Sequence, residues 1–523
     1  MTRRGGNRPE LEHVWHIGES VFRRTSDWCL VGGCGDRASR VVRIGAAFLL
    51  LGGGVCASFV RLALLCGLVK PCTDQAGRPS ANECGEGNFV KPPLKLLLIC
   101  YHDPSSNLIG AVRVRKFAEN LSAGGCSVKV LSRAGVASYA VGARTTEDFA
   151  RSEVAVSQGG GRPEQSAGTM TWPTSTPRRA NELWRRARPK LMWVFRHVIA
   201  VPDIEVLFAK ALFIHSRDLG EWAPEVIVVS GPPFSTFFVA QRMARKRGIP
   251  WVADYRDLWT LSSYYALGPI RRRVDRSLES RLLRTASIVT TVSQPLADEM
   301  HHAFGVRSEV VLNGFDPNDL ASSVPSVARP GLPLRIVYAG EIYEGKRDPE
   351  PLFMALASMG LGPDQVQVKF YGETVRVVED AARRHGVERL ISCEPRLPHI
   401  ESLALQQGAD VLLLLMWNNP GERGVYTGKL FEYLGVRRPI LMLGFPGGVA
   451  AELIRSRDAG VIANEPDEIA ATLRRWLVLK EETGAVSLLP EAVSAGLTRQ
   501  EQSKRLLELC RSLIDDLTLG ILS

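Results

Sequence analysis

From Leu94 onward, short apolar runs alternate with longer stretches whose apolar residues recur every three or four positions. Leu94 to Cys100, broken only by Lys95, has the composition of a buried parallel strand. The loop from Tyr101 to Gly110 leads into a helix over Ala111–Leu121, and Val128–Leu131 is the next strand. That order predicts a βαβ unit, in which ligands bind beyond the carboxyl ends of the strands. The pattern resumes with a strand at Val226–Ser230, a Gly231-Pro232-Pro233 turn, a helix over Phe234–Arg247 and a strand at Trp251–Ala253. A helix over Arg271–Leu283 follows, then strands at Ser287–Val292 and Val310–Leu312.

A second series opens at Leu334–Ala339 and continues with strands at Gln365–Tyr371, Leu390–Cys393, Asp410–Met416, Ile440–Leu443 and Gly460–Ile462. Helices fall between them, at Val375–His385, up to Gly408, at Gly447–Ser456, and finally at Pro466–Leu479 and Arg499–Leu517. The pattern predicts an α/β protein with a first domain over 93–318, a linker over 319–333 rich in Ser, Pro and Gly, a second domain over 334–498 and a terminal helix over 499–523. Residues 134 to 176 are polar and predict an excursion from the first domain.

Residues 1–92 read as an N-terminal extension. Its apolar segment, 44–69, holds seventeen uncharged residues from Ile44 to Val60 and is interrupted by Arg61. That length is at the short limit for a bilayer span. Arg37, Arg40 and Arg43 would keep the N-terminus cytoplasmic and send a following domain outside. A re-entrant or interfacial segment, or upstream sequence translated from an early start codon, is the alternative to a span.

A length of 523 residues allows two sizeable domains plus extras. The formal net charge of +10 favours an anionic partner without choosing among nucleic acid, phospholipid and phosphorylated substrate. Six of the ten cysteines fall in the first 84 residues, with no Cys-x-x-Cys pair, so neither a zinc site nor a disulfide framework is supported. From Arg178 to Ala200, seven basic residues face one acid, Glu182, and are interleaved with Trp184, Trp193 and Phe195. Such a helix suits the headgroup region of an anionic membrane. An RNA-binding patch and a solvated helix packed by its tryptophans are the competing readings.

Candidate chemistry concentrates in Arg423–Pro439. A strand and a Gly/Asn/Pro loop precede a helix whose first turn holds Thr427, Gly428 and Lys429, with Gly435 where a C-cap belongs. Backbone N–H groups, the positive end of the helix dipole and an ammonium converge there on an anion site. Glu432, one turn in, can accept hydrogen bonds from a vicinal diol such as ribose. Asp254, Arg256 and Asp257 gather at the carboxyl end of another strand.

This run, together with the blocks in order from Leu94, resembles the GT-B glycosyltransferases of family 4, retaining enzymes that use nucleotide-sugars. The resemblance implies two Rossmann-like domains facing across a cleft, with the donor on the second and the acceptor on the first. Glu432 matches the second glutamate of the family's donor motif; the first falls on Gly424, with Glu422 two positions out of register. Gly110 corresponds to the glycine under the donor phosphates. After Gly340, Lys346 fits the family's phosphate-binding lysine, with Arg347 assisting, while Glu341 occupies the place of an arginine. Pro398 lies in the loop that passes the nucleobase. Asp254, Arg256 and Asp257 stand where relatives contact sugar or acceptor, an internal salt bridge being the alternative.

The resemblance further implies hexosyl transfer to a glycan or lipid-linked acceptor in surface polysaccharide or glycolipid synthesis. It implies no metal and no cofactor beyond the donor, no nucleic acid partner, and a cytoplasmic enzyme at the inner face of an anionic membrane. The donor phosphate would take the acceptor's proton while Lys346, Arg347 and the helix start stabilise the departing diphosphate. A nucleotide-sugar epimerase and a non-catalytic membrane-docked partner are alternatives. A dehydrogenase is disfavoured because no Gly-x-Gly-x-x-Gly follows a first strand.

Overall fold

The computed structural model describes residues 92–106, 108–141, 200–207, 209–323, 331, 333–373 and 375–522. The apolar run 44–69 and the basic stretch 178–199 lie outside them. Pro92 to Ser523 forms one compact unit built on two sheets. No helix among the described residues is long and apolar enough to cross a membrane.

The first lobe comprises β1 (Lys95–Ile99), α1 (Ile109–Ala123), β2 (Ser127–Ser132), β3 (Gly135–Tyr139), α2 (Ala209–His215), β4 (Val226–Gly231), α3 (Ser235–Arg247), β5 (Trp251–Tyr255), α4 (Pro269–Leu283), β6 (Ile288–Thr291), α5 (Gln294–Phe304) and β7 (Ser308–Val310). Its sheet runs β3-β2-β1-β4-β5-β6-β7, and every pair except β2–β3 is parallel. Helices cover both faces, so β4 is buried along its length, and Val226–Val229 are apolar on both faces rather than alternating. The polar excursion expected from residue 134 begins instead as β3, because Arg133 and Ala134 turn the chain back and Val136 pairs with Leu131.

A short helix, α6 (Pro317–Ser322), occupies part of the expected linker; Asp316 caps it by accepting from the Asn318 N–H. The second lobe comprises β8 (Leu334–Ala339), α7 (Glu350–Met359), β9 (Val366–Tyr371), α8 (Val375–Arg384), β10 (Ile391–Glu394), α9 (His399–Gly408), β11 (Val411–Leu415), α10 (Gly428–Val436), β12 (Ile440–Leu443), α11 (Val449–Ser456), β13 (Gly460–Ile462) and α12 (Pro466–Thr483). Its all-parallel sheet runs β10-β9-β8-β11-β12-β13.

In both sheets the strand order reverses beside the first strand, between β1 and β4 and between β8 and β11. The crevices at those points open where ligands bind in such sheets. The last helix, α13 (Arg499–Leu522), leaves the second lobe and buries Leu506, Leu509, Cys510 and Leu513 in the core of the first, beside Val114 and Phe117 of α1. Burial of each leucine contributes about 1.5–3 kcal/mol.

The sequence places the stop of α10 at Gly435, but the left-handed residue at its end is Arg437, at φ 62°. Gly435 lies inside the helix because Phe315 and Leu320 press on its backbone; a Cβ there would come within 2.6 Å of the Phe315 ring. It is a close-packing glycine, not a cap.

Candidate active site

The lobes enclose a cleft of about 2060 Å³ whose walls include Gly110 and Arg256 on one side and Gly340, Arg347, Thr427, Gly428, Lys429 and Glu432 on the other. Pro398, the residue directly before α9, also lines it. The structure thus gathers most of the residues singled out from the sequence, and it removes Lys346, Asp254 and Asp257 from the lining.

On the second lobe the site is built from the carboxyl end of β8 and the start of α10. Thr427 precedes the helix in extended conformation, and no side chain caps the first turn, so its N–H groups face the cleft. Nothing of the protein lies within 4 Å of the point where a Cβ on Gly428 would stand. Lys429 reaches across β8: its ammonium donates to the Tyr338 hydroxyl at 3.1 Å and lies over the Gly340 backbone, where any side chain would collide with it. Gly340 has φ 143°, a conformation costly to other residues. Burial, reinforced by the nearby Arg347 charge, brings the Lys429 pKa down from 10.5 to about 7, against the opposing pull of Glu432 and Glu341. Arg347 donates to the Glu341 carbonyl at 3.1 Å and stacks 4.5 Å from the Tyr343 ring.

Two cations and a helix start therefore meet at one corner. The second cation is Arg347, not Lys346. The Lys346 ammonium sits 4.1 Å from the Tyr264 ring and 5.0 Å from Trp417, whereas Arg347 lies over Tyr343 and lines the cleft. Lys346 thereby helps join the lobes, an assignment its sequence neighbourhood does not carry.

Glu432 does not stand free. His399 Nε2 lies 3.0 Å from its Oε1, and Asp319 approaches the other ring nitrogen at 3.9 Å. The hydrogen bond from Glu432 raises the pKa of His399 against the lowering effect of burial. The pair orients the carboxylate expected to take the ribose. Sequence reasoning passed over His399; its only signal was a position directly after Pro398.

On the first lobe the three residues after Ala253 have three different fates. Asp254 is 1% exposed and bound by Arg113 through two bonds of 3.0 and 2.8 Å, by Ser230 at 2.7 Å and by Thr290 at 2.9 Å. Burial alone would raise its pKa, but the Arg113 charge and these hydrogen bonds outweigh it and hold the carboxyl below its ordinary value. Asp254 is thus a buried internal partner of Arg113, Ser230 and Thr290. Arg113 is committed to it and to the Val311 and Leu312 carbonyls. Lys116 on the same helix pairs with Asp316 at 2.8 Å.

Arg256 does face the cleft. Its guanidinium lies against Gly110, where any side chain would collide with it, and bonds the Pro232 carbonyl, while its buried Nε has no partner. Burial lowers its pKa, offset by Asp257 and Asp254. Asp257 is accessible but walled by protein, which raises its carboxyl pKa despite Arg256.

Position 424, where a glutamate is expected, is filled by contact between the lobes. Ser293 Oγ donates to the Gly424 carbonyl at 2.6 Å, and Leu296 packs where a side chain would begin. Glu422, also buried, accepts from the Tyr264 hydroxyl of the opposite lobe.

Residues 110–314 match the family described as glycosyl transferase 4-like domain. The whole fold is similar to that of sucrose-phosphate synthase from Thermosynechococcus elongatus, with TM-score 0.53 and 14% identity over 81% of this chain and 100% of that one. A glycosyltransferase from Rickettsia africae is similar at TM-score 0.50 and 11% identity, over 81% of this chain and 99% of that one. HepE of Anabaena in complex with UDP is similar at 0.50 and 14% identity, over 80% of this chain and 100% of that one. No curated protein sequence matches the chain.

Proposed function

We propose that this chain, a glycosyltransferase of GT-B fold and family 4 type, transfers a hexose from a nucleotide-diphosphate sugar to a glycan or lipid-linked acceptor with retention at the anomeric carbon. The observation that carries the reading is the corner where Arg347, Lys429 and the uncapped start of α10 converge. Diphosphate is a leaving group whose charge grows in the transition state, and two fixed cations beside unpaired N–H groups stabilise that charge. Glu432, oriented by His399, takes the ribose hydroxyls. Arg256, with Gly110 leaving it room, faces this corner from the first lobe and completes the clamp over the transferred sugar. The donor's own phosphate accepts the proton of the attacking hydroxyl, so no side-chain base, metal or cofactor is assigned.

The UDP seen with HepE favours a nucleotide donor. The setting proposed is surface polysaccharide or glycolipid synthesis, at the cytoplasmic face of a membrane.

Incubation with a panel of nucleotide-diphosphate sugars, read as release of nucleoside diphosphate, tests this. Release with one donor, lowered about tenfold or more in Lys429→Met and Glu432→Ala, is the expected result. An epimerised sugar formed without acceptor would point to the epimerase alternative, and no calorimetric heat with any donor to a non-catalytic partner.

A further inference from the structure

Helices α3 and α4 follow the adjacent strands β4 and β5 and lie side by side on one face of the first sheet. They share a core through Phe237, Met243, Leu282 and Leu283, and Gln241 Nε2 donates to Thr285 Oγ1 at 3.1 Å where they adjoin. Their outward sides carry one sign of charge. Arg245, Lys246 and Arg247 are exposed on α3, and Arg273, Arg276 and Arg281 on α4. The acids of the two helices, Asp275 and Glu279, are both fully buried, so neither screens this surface.

The charge is joined to exposed apolar side chains at one end. Ile270 is 78% and Val274 49% exposed, four residues apart on the same side of α4 and flanking Arg273. They lie at the amino end of α4, directly after Ala266 and Leu267, which line the cleft.

We infer that the α3–α4 face docks on an anionic phospholipid surface, with Ile270 and Val274 entering the headgroup boundary and the arginines meeting lipid phosphates. A duplex or single strand of nucleic acid would use the cations but gives isolated aliphatic side chains nothing to stack on; a bilayer uses both. The apolar end abuts the cleft, so docking brings the acceptor wall to the membrane. The assignment rests on the lipid-linked acceptor proposed above and locates where such an acceptor enters.

The test is flotation of the full chain with phosphatidylglycerol-containing vesicles and with pure phosphatidylcholine vesicles, at about 0.1 M salt, where charges about 10 Å apart still interact. Binding to the anionic vesicles alone is expected. The combined variant Arg245→Gln, Arg273→Gln, Arg281→Gln should lower the bound-to-free ratio at least about tenfold. Ile270→Ser with Val274→Ser should lower it too and make the remainder more salt-sensitive. All variants should keep wild-type thermal unfolding and donor hydrolysis, so loss of docking is read separately from any failure of the donor assignment. Vesicle binding unchanged in the arginine variant, no binding by the wild type, or a wild-type preference for single-stranded RNA over the vesicles would each overturn the inference.

Discussion

Tyr264 of the first lobe donates its hydroxyl hydrogen to the buried carboxylate of Glu422 in the second. Around that bond the Tyr264 and Trp417 rings lie 5.9 Å apart and share the Lys346 ammonium. With Ser293 and Leu296 on Gly424, this forms a clasp beside the cleft. The Tyr264 loop also lines the cleft, so the clasp sets how closely the first lobe approaches the corner of Arg347 and Lys429.

Tyr264→Phe keeps the ring and its cation but leaves a buried carboxylate short of a donor, at a cost of about 1–3 kcal/mol to the closed arrangement. We expect an increase in radius of gyration by small-angle scattering and a loss of up to about tenfold in kcat/KM, or about 1.4 kcal/mol. Unchanged scattering and rates would remove the clasp from the mechanism.

Lys429 gives the proposed donor site a pH dependence. With its pKa at about 7, the free enzyme loses the ammonium as pH rises above neutrality. A diphosphate prefers the charged form, so donor binding there takes up a proton, and kcat/KM for donor should fall from about pH 7 upward by up to about one decade per pH unit. Lys429→Met should be weaker at pH 6 and lack that limb. The stability effect has the opposite sign. The folded state binds fewer protons than the unfolded chain between about pH 7 and 10.5, so the destabilisation from Lys429 is full below pH 7 and fades as pH rises through that window. Denaturant midpoints across the range measure it.

Asp254→Asn should fail by unfolding rather than by kinetics. It strands the Arg113 charge, which is 6% exposed, and breaking one side of a buried pair costs about 3–5 kcal/mol. A wild-type denaturation midpoint with a large loss of rate would restore Asp254 to the chemistry. Because its folded pKa lies below 3.8, the stability it supplies is present above that pH and is lost as pH falls through the folded value.

A chain beginning at Pro92 should be soluble, folded and active on donor, since 92–523 closes as one compact unit. Circular dichroism and donor hydrolysis check this, and aggregation of the shortened chain would show that the extension belongs to the fold.

What the sequence carries about this site, and what it withholds, divides along one physical line. Periodicity reports which face a strand or helix buries, so β8 and β12 appear at Leu334–Ala339 and Ile440–Leu443 in sequence and structure alike. A glycine before a helix and a lysine in its first turn are local, and α10 presents both to the cleft. Direction within a turn is not local: nothing in Gly345-Lys346-Arg347 tells which cation faces the cleft until Tyr264 and Trp417 supply the cage for one of them. Asp254 is the same case, since its partner Arg113 lies 141 residues away. Gly435 is legible as a glycine with a backbone reason, but Phe315 decides that the reason is contact rather than a left-handed turn.

The path of α13 sets how the two halves can be handled. The polypeptide passes between them twice, once through α6 and again where Phe315 and Arg499 exchange backbone bonds with their surroundings before α13 starts. Grafting the second lobe onto a foreign first lobe therefore needs two splice points, and a chimera joined only near residue 323 would carry a mismatched strap over α1. Removing everything after Thr498 would strip Leu506, Cys510 and Leu513 from the first lobe and expose its core, so damage at the far end of the sequence would be felt first in the lobe that precedes the linker.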